Sequence, residues 1–284
     1  VISEFAPAKL NLYLHVTSRR DDGFHELDSL VAFAGVGDRV GVEESGKLSL
    51  SLTGPMSKSL ANEPDNLVLK AARLLAEAHG IEPRAHIVLE KSLPVASGIG
   101  GGSADAAAAL KALIRLWHLK PNEGDLMKLA LKLGADVPVC LKGKSVFMSG
   151  IGEKLVQAPR LPETWLVLVN PGIPLATPPV FKARSGPFSP PSPFEAEPAD
   201  VHDLVRLLRL RKNDLTEAAV SLVPAIEEVK QALTAQPSCL MSRMSGSGAT
   251  CFGLFASEEA ARSASRRLAA DHLDWWVAPA PLIG

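Results

Sequence analysis

The residues best placed to do chemistry lie in Pro94-Val95-Ala96-Ser97-Gly98-Ile99-Gly100-Gly101-Gly102-Ser103, which runs directly into Ala104-Asp105-Ala106. Four glycines within five positions are costly to order, because glycine loses more backbone freedom on folding than any other residue. The chain beyond them is helical in pattern: Leu110, Leu113, Ile114 and Trp117 fall at i, i+3, i+4 and i+7. A glycine loop that opens a helix leaves backbone N–H groups unpaired at the positive end of the helix dipole, an arrangement that suits phosphate. On these residues alone two readings stay open, a phosphate cradle and a tight turn packed against a neighbour. The stretch is not a P-loop, since no Gly-Lys-Ser or Gly-Lys-Thr closes it. Nor is it a dinucleotide fingerprint, because Gly98-x-Gly100-x-x-Ser103 lacks the third glycine and Pro94 sits where a central strand would end.

The elements that must hold this loop can be read from periodicity. Leu10, Leu12, Leu14 and Val16 alternate with Asn11, Tyr13 and His15, which predicts a half-buried strand with Lys9, Asn11 and Tyr13 on its polar face. Residues 40–42 and 48–52 read as strands, and 66–79 as a helix capped by Asp65 or Asn66 and stopped by Gly80. Residues 85–90 form a strand leading into the loop. The helix after the loop ends before Pro121, and a second covers 125–133 and stops at Gly134. Val146-Phe147 begins strand structure ahead of Gly150 and Gly152. A buried strand over 165–169 is closed by Asn170-Pro171-Gly172. Pro187, Pro190, Pro191, Pro193 and Pro198 make 185–198 an expected extended, mobile surface segment. Beyond it lie helices over 201–210, 214–221, 224–235 and 258–270, with strands over 240–244, 249–255 and 275–278. The mixture predicts an α+β chain of two domains, 1–155 and 156–284, dividing near 152–162.

Composition narrows the function classes. The chain has 284 residues, is 46% hydrophobic and 21% charged, and carries a net charge of −1, which gives no electrostatic case for nucleic acid or an anionic membrane. An aromatic content of 5% also disfavours base stacking along a nucleic-acid strand. Cys140, Cys239 and Cys251 are widely spaced and without a CxxC pattern, so they read as core thiols in a reducing compartment rather than a disulfide framework or zinc site. No apolar run reaches membrane-spanning length and no targeting pattern opens the sequence. The expectation is a cytoplasmic protein, monomeric or a weak homodimer.

Further segments sharpen this. Pro7-Ala8-Lys9-Leu10-Asn11-Leu12, Asp22-Gly23-Phe24-His25-Glu26-Leu27, Gly134-Ala135-Asp136-Val137-Pro138, Thr177-Pro178-Pro179-Val180-Phe181 and Ser245-Gly246-Ser247-Gly248-Ala249 flank the glycine loop in this order. Together they resemble the GHMP kinase superfamily over essentially the whole chain. The resemblance implies the two-domain GHMP fold with an ATP/substrate cleft between the domains, ATP and Mg²⁺ as cofactors, and a small-molecule alcohol bearing a cytidine diphosphate group as substrate.

The same resemblance assigns roles. Asp136 is the implied general base, accepting the hydroxyl proton as the new P–O bond forms. By itself it reads first as a helix N-cap before Pro138. Lys9, by itself a solvated lysine, becomes the partner that holds Asp136 ionised and offsets phosphoryl charge. Residues Pro94 and 96–103 wrap the ATP phosphates, with Ser103 supporting phosphate or Mg²⁺, and Asn66 and Lys91 serve the adenosine side. Asp105 is expected as a helix-start carboxylate rather than a metal ligand, and no metal ligand is assigned. Asn11 contacts a substrate phosphate, His25 reads the cytosine edge, and Phe24 and Phe181 stack on the base. Ile151 and Thr177 complete the substrate contacts, and Ser245, Gly246, Ser247 and Gly248 lie beside phosphates and substrate, steadying the glycine loop. Two positions depart from the family: Phe24 stands where tyrosine is usual, and Ala104 where serine is common. A kinase of another small alcohol, such as homoserine or mevalonate, is disfavoured by the aromatic residues, which an aliphatic alcohol does not need. A non-catalytic nucleotide-binding regulator is disfavoured by the presence of both Lys9 and Asp136.

Overall fold

The structure is a computed structural model that describes residues 1–60 and 66–284. Its first strands are long: β1 (Ile2–Arg19) and β2 (His25–Glu43). They are followed by β3 (Ser49–Thr53), α1 (Leu67–Ala78), β4 (His86–Glu90), α2 (Gly101–Leu116), α3 (Glu123–Leu133) and α4 (Val137–Lys142). The chain continues through β5 (Val146–Gly150), β6 (Lys154–Gln157), β7 (Trp165–Asn170), α5 (Thr177–Ala183), α6 (Val201–Arg209), α7 (Thr216–Leu222) and α8 (Ala225–Thr234), and closes with β8 (Met241–Met244), β9 (Cys251–Phe255), α9 (Glu258–Asp271) and β10 (Trp276–Ile283). No helix among the described residues is long and apolar enough to cross a membrane.

Two compact units emerge, and the chain visits each more than once. One consists of residues 1–8, 37–95 and 100–143, the other of 9–36, 96–99 and 144–284. In the first, Arg39–Glu43 of β2 runs antiparallel to β4, and β3 lies parallel to β4 on its other side. Helices α1, α2, α3 and α4 pack on one another. The run of alanines in α2 makes this possible, since residues 104 and 106–109 are all buried and short side chains let neighbouring helices approach closely. Asn66 caps α1 through its side-chain oxygen, 2.9 Å from the Val68 amide. Asp65, the alternative cap, lies outside the described residues.

In the second unit β5 pairs antiparallel with residues 27–31 of β2, and β6 pairs with β5. The strand β10 runs antiparallel to β7, with β9 on the far side of β7 and β8 beyond it. A core of Val167, Val169, Ile226, Val229, Phe255 and Leu268, among others, fills the space between these strands and their helices. In α6 the buried positions are Val201, Leu204, Val205 and Leu208, the i, i+3, i+4, i+7 stripe of an amphipathic helix.

Several sequence expectations need correction. β1 is not half-buried: Lys9, Asn11 and Tyr13 are as inaccessible as the leucines opposite them, because packing covers both faces of the strand. Residues 25–39 and 177–183, not foreseen as regular structure, form most of β2 and all of α5. Segment 185–198 is a largely exposed stretch without helix or strand, as expected, and it is tied down at several points. Ser189 N–H donates to the Val16 carbonyl at 3.0 Å, Ser192 N–H to Asp28 Oδ2 at 2.6 Å, and Arg211 Nε to the Ser192 carbonyl at 2.5 Å. Its prolines lack donors, so the few remaining amides carry the attachment. The three cysteines are free, as expected, and Cys140 and Cys251 are buried.

Candidate active site

Each unit carries a share of the expected residues. In the second, the chain of contacts starts at Lys9, whose ammonium donates to Asn11 Oδ1 at 2.8 Å. The Asn11 amide group donates in turn to Ser29 Oγ at 2.8 Å, and Ser29 Oγ donates to the Tyr13 carbonyl at 2.5 Å. Asn11 is thus oriented with its oxygen toward Lys9, which settles which end of the amide faces the ammonium. The Lys9 backbone N–H reaches the Ile99 carbonyl at 2.9 Å, and Asn11 N–H reaches Ser245 Oγ at 3.2 Å. Lys9, Asn11, residues 96–99 of the glycine loop and the 245–248 turn therefore form one cluster.

The turn sits hard against the loop. Ser245 Oγ donates to the Gly98 carbonyl at 3.0 Å, Thr250 N–H to the Ser97 carbonyl at 3.0 Å, and Leu175 N–H to the Ala96 carbonyl at 3.0 Å. A Cβ on Gly98 would lie 2.5 Å from the Ser245 carbonyl oxygen, and one on Gly246 2.7 Å from the Gly98 carbonyl oxygen. Both glycines also have positive φ, +75° and +55°. Two backbones approach within a distance only glycine allows. Ser247 Oγ meets Thr177 Oγ1 at 2.8 Å, tying the turn to the start of α5.

Further along this unit, His25 and Phe181 stack with ring centroids 5.1 Å apart and planes at 26°. Phe24 is 60% exposed, its ring offered outward from the turn at residues 20–24. Gly150 pairs with Leu27, so Ile151 leaves β5 at the end where His25 enters β2. Partial burial, then the charges of Arg19 and Arg184, pull the His25 pKa below its ordinary value. Its imidazole is therefore neutral at pH 7, with one N–H donor and one bare nitrogen acceptor.

In the first unit, Gly100 caps α2 in the left-handed conformation with φ +62° and no side chain to occupy the helix start. The Ala104 amide makes the first helical hydrogen bond, to the Gly100 carbonyl at 2.8 Å. The amides of Gly101, Gly102 and Ser103 thus belong to the helix's first turn, which has no acceptors of its own. Asp136 stands at the N-cap position of α4, half-buried, but its side chain makes no capping hydrogen bond. The cap reading drawn from Pro138 is correct for the position and wrong for the carboxylate.

Asn66 and Lys91 are both buried. Lys91 directs its ammonium inward, 2.5 Å from Asp38 Oδ2 and 2.8 Å from Asp105 Oδ2. Asp105 is engaged with that lysine rather than acting as a free helix-start charge. Burial raises the Asp105 pKa and the nearby Asp38 charge adds to this, so that it reaches about 7 despite Lys91. For Lys91 burial works toward a lower pKa, but the two carboxylates prevail and it is raised.

Asp38, Ser29 and Asn213 escaped sequence reasoning. Asn213 donates to the Met244 and Gly246 carbonyls at 2.9 and 2.8 Å, holding the 245–248 turn from behind. Asp38 did leave a trace: it is in phase with the buried Val40 and Val42, and an acid at an inward strand position requires a buried partner. Among the described residues no group of three or more His, Cys, Asp or Glu side chains is disposed to hold a metal ion.

Known proteins resemble this chain in sequence and fold. Residues 66–144 match the family described as GHMP kinases N terminal domain, and residues 196–273 match GHMP kinases C terminal. The chain is 56% identical over 278 residues to a 4-diphosphocytidyl-2-C-methyl-D-erythritol kinase of Paramagnetospirillum magneticum, covering 98% of this chain and 97% of the relative. It is 52% identical to the protein of the same name from Rhodospirillum rubrum, covering 100% and 93%. A solved structure of 4-(cytidine 5'-diphospho)-2C-methyl-D-erythritol kinase superposes with a TM-score of 0.80 at 38% identity over 99% of both chains. Homoserine kinase from Cytophaga hutchinsonii, at 21% identity and a TM-score of 0.74 over 99% of this chain and 93% of its own, shares the fold. The chain belongs to the GHMP kinases, in the family of the 4-diphosphocytidyl-2-C-methyl-D-erythritol kinases.

Proposed function

We propose that the protein transfers the γ-phosphoryl group of ATP to the 2-hydroxyl of the methylerythritol moiety of 4-diphosphocytidyl-2-C-methyl-D-erythritol, a step of the methylerythritol phosphate route to isoprenoid precursors. The observation that carries the substrate is the neutral His25 ring packed on Phe181, with the exposed Phe24 ring alongside in sequence. A neutral imidazole can offer its bare nitrogen to the cytosine amino group or its N–H to N3 or O2, and Phe24 and Phe181 offer π-faces for the base. Phe24 stacks as a tyrosine would but donates no hydrogen bond.

On the nucleotide side, the first-turn amides of α2 and the loop 94–103 receive the ATP phosphates, with Asn66 toward the adenosine; the Lys91 ammonium, expected there too, is instead committed to Asp38 and Asp105. Mg²⁺ offsets phosphate charge when it arrives with ATP. The Ser103 hydroxyl, in the first turn of α2, would support Mg²⁺, which keeps most of its ligands as phosphate and water.

The chemical step needs a base and a counter-charge. Asp136, at the start of α4, accepts the proton of the attacking hydroxyl. The Lys9 ammonium, held by Asn11 at 2.8 Å, stabilises charge as the phosphoryl group moves. Asn11, Ile151, Thr177 and the 245–248 turn hold the substrate. Asp136→Asn keeps the fold and the shape of the site but removes the base, and kcat falls by about a hundredfold or more, with ATP still bound. Turnover at the parent rate would take Asp136 out of that role.

A further inference from the structure

The glycine loop has two ends, and both are fastened by the same three buried side chains. Asp38, on β2, uses its two oxygens differently. Oδ1 accepts the backbone N–H groups of Ser92 and Leu93 at 2.6 and 2.8 Å, fixing the chain as it enters the loop. Oδ2 accepts from the Lys91 ammonium at 2.5 Å. Lys91 spans the gap to Asp105, in the second turn of α2 just after the loop, at 2.8 Å. The Lys91 backbone is itself locked: its N–H donates to the Thr53 carbonyl at 2.8 Å and its carbonyl accepts from Met56 N–H at 3.0 Å. Gly54 lies so close that a Cβ there would sit 2.6 Å from the Lys91 carbonyl oxygen. The ammonium lies directly under the start of α2, 3.1 Å from where a Cβ on Gly101 would be.

All three residues are at most 2% exposed. Burying three ionisable groups is costly unless something specific is obtained, and geometry is the usual return. The set carries one surplus acid, and Asp105 Oδ1 is buried with no hydrogen-bond partner. A packed apolar trio would have been cheaper for stability alone.

We propose that Asp38, Lys91 and Asp105 are positioning residues for nucleotide binding: they pin the entry and exit of the glycine loop so that the first-turn amides of α2 point at the ATP phosphates. The proposal rests on the reading of that loop as the phosphate cradle. Asp105→Asn removes the surplus charge while leaving the Lys91–Asp38 pair intact, so the fold is expected to survive. Its effect is specific: KM for ATP rises about tenfold or more through misplaced amides, while KM for the cytidine substrate stays within about twofold. Asp38→Asn, which puts an N–H₂ group beside the ammonium, gives the same split and carries the test should Asp105→Asn fail to fold.

The loop itself is read independently by amide NMR of the parent protein titrated with ADP. Shifts at residues 97–103 together with the KM split support the proposal. Shifts at those residues with unchanged kinetics in the variants, or with both KM values rising in parallel, overturn it and leave the cradle standing. No shift at those residues overturns the cradle and the positioning role together.

Discussion

Gly98→Ala probes the closest approach in the candidate site. The added methyl meets two separate penalties. At φ +75° an alanine occupies the left-handed region, at about 1–2 kcal/mol. Its Cβ would also lie 2.5 Å from the Ser245 carbonyl oxygen and 2.7 Å from both the nitrogen and oxygen of Gly248, where ordinary contact begins near 3.4 Å. These are backbone atoms, unable to swing aside, and overpacking of this kind adds about 1–3 kcal/mol. The sum is about 2–5 kcal/mol. Gly80→Ala is the matched control. It has φ +63° with nothing within 4 Å, so only the backbone term of about 1–2 kcal/mol applies. Thermal and urea unfolding of both variants separates the two terms, and ATP-dependent turnover shows whether the loop still works. Gly98→Ala should be the less stable by about 1–3 kcal/mol and should also lose ATP affinity. Equal destabilisation of the two would refute the close packing of the 245–248 turn on the loop.

Two predictions concern protons. Because the His25 pKa lies below 6.5, its neutral form predominates at pH 7. KM for the cytidine substrate should change little from pH 8 down to 7 and rise in more acid solution, and a KM that climbs steeply between pH 8 and 7 would contradict a neutral His25. Asp105 goes the other way. Its native pKa of about 7 exceeds the ordinary 3.8, so between those values the folded state holds more proton than the unfolded one, and stability falls as pH rises across that window. Unfolding of the parent and Asp105→Asn at pH 4.5 and 7.5 measures this. The advantage of the parent over the variant should shrink toward pH 7.5, and growth of that advantage would contradict the burial and charge arrangement around Lys91 and Asp38.

Where local chemistry decided the structure, it was legible in the sequence. The loop that opens α2, the Asn66 cap of α1, the breaks at Gly80 and Gly134 and the amphipathic α6 are all set by residues close in the chain. What escaped depended on distant partners. β2 reads poorly because residues 28–34 are all buried, which removes the alternation that marks a strand, and because Gly35, Gly37 and Asp38 interrupt it. Residues 177–183 carried no helix signal, yet Pro178 and Pro179 both fit the first turn of α5, where no N–H is needed. Segment 185–198 looked mobile because nothing local holds it; its attachments come from Val16, Asp28 and Arg211. Lys91 was visible as a cation near the loop, but only the fold brings Asp38 beside it. The residues around Asp136 favoured a helix cap, and only the family resemblance turned the reading to a base. Cap position without a capping bond is a distinction only the structure makes.

The central claim is the substrate, and coupled release of ADP tests it most directly. The protein would be supplied with ATP and Mg²⁺ together with 4-diphosphocytidyl-2-C-methyl-D-erythritol, methylerythritol phosphate, homoserine or mevalonate in parallel. Turnover with the cytidine compound alone is the expected result and would implicate the aromatic residues in recognition. Turnover with homoserine or mevalonate, or none with any acceptor while ATP still binds, would contradict it.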